Sequence, residues 1–65
     1  MKITVNAQAH EVAATTLSQA LIELGFTETA IATALNGDFV PRGLRDGTNL
    51  QEGDRLEVLA PMQGG

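Results

Sequence analysis

A chain of 65 residues with no cysteine, a formal charge of −4 and only two aromatics, Phe26 and Phe39, describes a small acidic domain. Disulfides and thiolate metal sites are excluded, nucleic-acid binding would need the opposite charge balance, and a charged partner surface is expected to be basic. No apolar run approaches the ~20 residues of a membrane span and no charged-then-apolar leader opens the chain, so a cytoplasmic domain near the lower size limit for folding alone is expected.

Met1-Lys2-Ile3-Thr4-Val5 alternates apolar and polar, which predicts a half-buried strand with Met1, Ile3 and Val5 inward. Asn6-Ala7-Gln8-Ala9 reads as a turn and His10-Glu11-Val12-Ala13 as a weak second strand, giving an N-terminal hairpin. Asn-Gly would be the stronger turn signal, because alanine tolerates positive φ poorly. Thr16-Leu17-Ser18-Gln19 fits a capping box, and Leu17, Ala20, Leu21 and Leu24 recur on one helical face. Gly25 suits the left-handed position past the helix end, with Phe26 packing back on Leu21. A helix this short is marginal alone and must lay its apolar face on a sheet.

Ala30-Ile31-Ala32-Thr33-Ala34-Leu35 is ambiguous, since its alanines favour helix and its alternation favours strand. Asn36-Gly37 decides for a hairpin with Asp38-Phe39-Val40, and Pro41 ends the second arm. Ile31, Thr33 and Leu35 then face the core, leaving Ala30, Ala32 and Ala34 on a face unusually smooth for solvent. Residues 43–50 are turn-rich, with Leu44 and Leu50 as expected core anchors. Glu52-Gly53-Asp54 is a turn before the last strand, in which Leu56, Val58 and Ala60 share one face and Arg55, Glu57 and Leu59 the other. Pro61 should end sheet pairing, and residues 62–65 carry no helix or strand signal, stopping on Gly64-Gly65.

Strand–strand–helix–strand–strand–strand, with the last strand beside the first by the crossover rule, is the β-grasp or ubiquitin-like arrangement: α+β, a mixed sheet of about five strands with one helix on one face. The expected division is a domain over 1–60 and a flexible tail over 61–65. Chemistry of its own is hard to find in such a chain. The one serine, Ser18, and the one histidine, His10, fall on different elements and make no triad. Asp46, Glu52 and Asp54 read as turn formers rather than metal ligands, and Arg42, Arg45 and Arg55 as surface cations, some of them near a partner contact. The working group is then the C-terminal carboxylate, presented on a thin tail.

Asn36-Gly37-Asp38-Phe39-Val40-Pro41-Arg42, the run Leu50-Gln51-Glu52-Gly53-Asp54-Arg55-Leu56-Glu57-Val58 and the terminal Gly64-Gly65 together resemble the ThiS family, the sulfur carriers of thiamine biosynthesis. The resemblance covers essentially the whole chain; Ala7, where the family often has glycine, and the alanine-rich third strand depart from it. It implies a carrier, not an enzyme, that binds no cofactor itself. A ThiF-like enzyme consuming ATP would adenylate the carboxylate of Gly65, a persulfide donor would convert it to a thiocarboxylate, and thiazole synthase would receive the sulfur. Gly64 would give the tail its slenderness. Ala30, Ala32, Ala34 and Leu59, with Met62 from the tail, are the expected docking face for the activating enzyme, with arginines at its rim. Other readings remain at this point. The small subunit of molybdopterin synthase has a similar fold and ending, but usually runs longer and lacks the Asn-Gly-x-x-Val-Pro-Arg stretch. A ubiquitin-like protein modifier would form chains poorly with Lys2 as its single lysine, and a plain interaction domain would leave the two glycines incidental.

Overall fold

A computed structural model of the chain describes residues 1–27 and 30–60. Strands β1 (Lys2–Val5) and β2 (Gln8–Glu11) form the first hairpin, helix α1 (Leu17–Glu23) crosses the sheet, and β3 (Ala32–Leu35) and β4 (Asp38–Val40) form the second hairpin. A 3₁₀ helix over Arg42–Gly47 leads to β5 (Arg55–Leu59). The sheet order is β2-β1-β5-β3-β4. β5 runs parallel to β1 and antiparallel to β3, so the last strand lies beside the first, as the crossover rule predicts.

Each hairpin turns on two residues held at positive φ, Asn6-Ala7 in the first (48° and 70°) and Asn36-Gly37 in the second (52° and 89°). The second turn is the expected one. The first is tighter than expected, so β2 begins at Gln8 and ends at Glu11 rather than covering His10–Ala13. Val12 has left the strand and is buried, its N–H donating to the Met1 carbonyl at 2.8 Å. Ala7 adopts the left-handed backbone that a Cβ disfavours by about 1–2 kcal/mol. Glycine there relieves that strain but has more freedom to lose on folding, about 0.4–1 kcal/mol. Ala7→Gly should therefore stabilise the domain by about 0.5 kcal/mol, raising the thermal midpoint by roughly 3 °C. A calorimetric scan of both proteins checks this; a lower midpoint would mean that the turn is not strained.

Helix α1 carries the expected caps. The Thr16 hydroxyl accepts from the Gln19 N–H at 3.3 Å, while the Gln19 side chain reaches back to the Thr15 N–H at 3.4 Å. At the far end Gly25 (φ 91°) turns the chain; its N–H donates to the Ile22 carbonyl, and that of Phe26 donates to Leu21 at 2.8 Å. These two bonds are the paired closure that a left-handed glycine permits. Glu23 in the last turn accepts from the N–H groups of Ala13 and Ala14 at 3.0–3.1 Å, tying the helix to the strand-to-helix loop.

Leu17, Ala20 and Leu21 of α1 are buried with Ile3, Val5, Val12, Ile31, Val40, Leu50, Leu56 and Val58, and Leu24, Phe26 and Leu35 pack at the edge. Four local expectations need correction. β3 starts at Ala32, so Ala30 lies in an exposed bend before it. β5 stops at Leu59, and Ala60 is exposed instead of completing the inward set. Leu50 is the anchor foreseen, but Leu44 is 61% exposed. Arg45, expected as a surface cation, is buried in its place. Its Nε donates to Thr33 Oγ1 at 3.1 Å and its Nη2 to the Ile31 carbonyl at 2.6 Å, while Thr33 Oγ1 donates to the Val40 carbonyl at 2.9 Å. Thr33 is 1% exposed, so its hydroxyl needs partners inside the fold; the arginine supplies one and Leu44 could not.

Candidate functional site

The strand alternation that sends Thr33, Val40, Leu56 and Val58 under the helix sends their neighbours to the opposite face of the sheet. Ala32 pairs with Leu59, and Ala34 stands between Glu57 on one side and Phe39 on the other. Ala32 is exposed and Ala34 half-buried, while Leu59 is 71% and Phe39 68% exposed. The two small alanines form the floor of a shallow cavity of about 200 Å³, with Leu59, Phe39, Glu57 and Asn6 around it. Two large apolar side chains at the sides of a smooth floor form a surface suited to close approach by a partner.

Of the expected docking residues, Ala32, Ala34 and Leu59 come together. Ala30 is exposed in the bend before β3 and does not line the cavity. Met62, Gly64 and Gly65 lie outside the described residues. Phe39 is the residue that sequence reasoning missed. Its signal was parity: once Val40 turns inward ahead of Pro41, Phe39 must turn out beside Ala34. The expected arginine rim also needs revision, since Arg45 hydrogen-bonds Thr33 beneath the sheet. Arg55 lies on β5, with its guanidinium beside the Asn36-Gly37 turn.

The family-like turns owe their sequence to backbone geometry. Gly53 sits at φ 86°, and Asp54 accepts from the Gln51 N–H at 2.8 Å and the Asn36 Nδ2 at 3.0 Å. Glu52 accepts from the Lys2 N–H at 3.1 Å. These acids act as turn acceptors. Ser18 lines a separate cleft of about 400 Å³ with Ile22, Phe26, Arg42 and Asp46, whereas His10 belongs to β2 and pairs with Ile3. Among the described residues no cluster of three or more His, Asp or Glu side chains could hold a metal ion, and no helix is long and apolar enough to cross a membrane.

β5 ends at Leu59, six residues before Gly65. Fully extended, six residues reach at most about 20 Å.

Comparison with known proteins bears on the fold and the family. The crystal structure of the thiamine biosynthesis protein (ThiS) of Geobacter metallireducens superposes with a TM-score of 0.84 at 29% identity, covering all of both chains. An NMR solution structure of a thiamine biosynthesis protein of that organism gives 0.81 at 30% identity, covering this whole chain and 88% of the other. The thiazole synthase of Magnetococcus marinus is 39% identical over 66 residues, matching all of this chain but 20% of its own length. The chain thus spans about one-fifth of that curated relative. The model of the ThiS family matches residues 3–65, and the chain belongs to that family, whose members are small carriers of thiamine biosynthesis and not enzymes.

Proposed function

We propose that the chain carries sulfur on Gly65 for delivery to thiazole synthase. An α-carboxylate is ionised at neutral pH and a poor electrophile, so it must first be activated. A ThiF-like enzyme does this with ATP: a carboxylate oxygen attacks the α-phosphorus and pyrophosphate leaves. The terminal sulfur of a persulfide then attacks the acyl carbon and AMP departs. A second thiol then attacks the donor's own sulfur, forming a disulfide with it and releasing the thiocarboxylate. With no cysteine in this chain, both sulfur nucleophiles come from partners. The chain binds no cofactor of its own in this scheme, and its setting is the cytoplasm, where thiols stay reduced.

One observation carries the reading: the family match runs through residue 65 and so includes Gly64-Gly65. A protein named as a thiazole synthase contains a stretch similar to this whole chain, which supports that enzyme as the recipient. The reaction is tested by ATP–pyrophosphate exchange with a ThiF-like enzyme, which should depend on added carrier. No dependence would contradict the activation step.

The patch around Ala32 and Ala34, with Leu59 and Phe39 at its sides, is the docking face in this reading, and Ala30 and Met62 are its proposed outlying contacts. Burying a large apolar side chain contributes about 1.5–3 kcal/mol, so Leu59 and Phe39 offer a substantial part of a binding energy. Ala32→Glu places a carboxylate on that floor. It should weaken binding to the activating enzyme by about tenfold or more, since burying an unpaired charge is costly. Titration calorimetry reads this, and circular dichroism should show the fold intact. Undiminished binding would move the docking face elsewhere.

A further inference from the structure

We propose that Asn6 is a positioning residue for the carrier reaction: its side-chain amide, bonded to both main-chain groups of Val58, fixes the line along which β5 delivers the chain past Leu59. The inference rests on the thiocarboxylate reading above.

β1 ends at Val5, opposite Leu56 of β5, and the Asn6 N–H makes a last main-chain bond to the Leu56 carbonyl at 2.9 Å. The backbone then turns away through positive φ into β2. Val58 is left facing the vacated side of the sheet. There the Asn6 side chain does what a further peptide unit of β1 would do. Its Oδ1 accepts from the Val58 N–H at 2.9 Å, and its Nδ2 donates to the Val58 carbonyl at 3.1 Å.

The second hairpin makes a near-copy of this device at the other end of β5. Asn36 donates its own N–H to the Arg55 carbonyl at 2.7 Å and accepts the Arg55 N–H on Oδ1 at 2.9 Å. Both asparagines hold the first position of a two-residue turn at nearly the same φ, 48° and 52°. Asn36 grips the entry to β5 and Asn6 grips its exit. On the β3 side the ladder also ends at the exit, with Ala32 opposite Leu59. Asn6 also lines the cavity beside Leu59, so the clamp adjoins the proposed docking face.

Asparagine tolerates left-handed backbone, which alone could explain both residues. Glycine separates the two roles, because it keeps the turn and removes the clamp. Asn6→Gly removes both side-chain bonds to Val58, whereas Asn36→Gly removes the Oδ1 bond to the Arg55 N–H and the Nδ2 bond to Asp54 and keeps the main-chain bond to the Arg55 carbonyl. If the exit clamp positions the reacting end, Asn6→Gly should lower kcat for adenylation about tenfold or more, in line with the sensitivity of catalysis to misplacement by about 1 Å. KM for the carrier should move less than kcat, because Asn6 is one polar side chain at the cavity edge and Ala32, Ala34, Leu59 and Phe39 are all retained. Asn36→Gly should change neither. Asn6→Asp keeps an acceptor for the Val58 N–H and should recover part of the lost rate; if Asn6→Gly does not fold, the comparison is read on Asn6→Asp.

Amide hydrogen exchange supplies a readout independent of the enzyme. Val58 exchange should quicken in Asn6→Gly alone, and Arg55 exchange in Asn36→Gly alone. Unchanged Val58 exchange overturns the clamp. A wild-type kcat in Asn6→Gly, or an equal fall in Asn36→Gly, overturns its positioning role. A wild-type chain that is never adenylated overturns the function on which the proposal rests, whatever the exchange data give.

Discussion

Gly64→Val should lower adenylation about a hundredfold while leaving unfolding within about 0.5 kcal/mol of wild type. Among the described residues the buried apolar core runs from Ile3 to Val58. Valine adds a β-branched side chain and restricts the backbone beside the reacting carbon. In the proposed activation, the enzyme passes that backbone closely to bring the carboxylate to ATP. ATP–pyrophosphate exchange at matched concentrations and denaturant unfolding together check both halves. Equal exchange would show the glycine to be dispensable, and a large loss of stability would show position 64 to be part of the fold.

Arg45→Ala should destabilise the domain by about 3 kcal/mol, and Leu44→Ala beside it by less than about 0.5 kcal/mol. Removing the guanidinium takes a donor from the Thr33 hydroxyl and the Ile31 carbonyl, and it removes a buried aliphatic stem. Each buried polar group left without a partner costs about 1–3 kcal/mol. A chain of this size has a total stability of roughly 3–10 kcal/mol, so the loss should be plain in a urea titration. Leu44 is exposed, and truncating it leaves no cavity. The reverse order of effects would contradict the Thr33–Arg45 contact.

That pair of residues also shows where reading the sequence fails. Leucine inward and arginine outward is the ordinary expectation for a loop, and here it inverts because Thr33 brings a hydroxyl under the helix. The strand parity of β3 revealed that Thr33 faces inward, but not that its oxygen would recruit an arginine twelve residues on. Local signals were much more legible. The Thr16 cap, the Gly25 closure and the Asn36-Gly37 turn each depend on a few neighbouring residues, and each forms as expected. The Asn6-Ala7 turn was harder, since alanine argues against positive φ. The clamp of Asn6 on Val58 is a tertiary contact across 52 residues that helps hold the turn tight. On the proposed docking face, alternation identified Ala32, Ala34 and Leu59. Ala30 does not line the cavity, because β3 starts two residues later than the alternation begins.

The most direct measurement is the intact mass of the chain after incubation with ATP, a ThiF-like enzyme and a persulfide donor. One oxygen should be replaced by one sulfur, and fragmentation should place the change on Gly65. Linkage of the chain to lysines of other proteins, with no sulfur gained, would contradict the sulfur-carrier reading and favour a protein modifier.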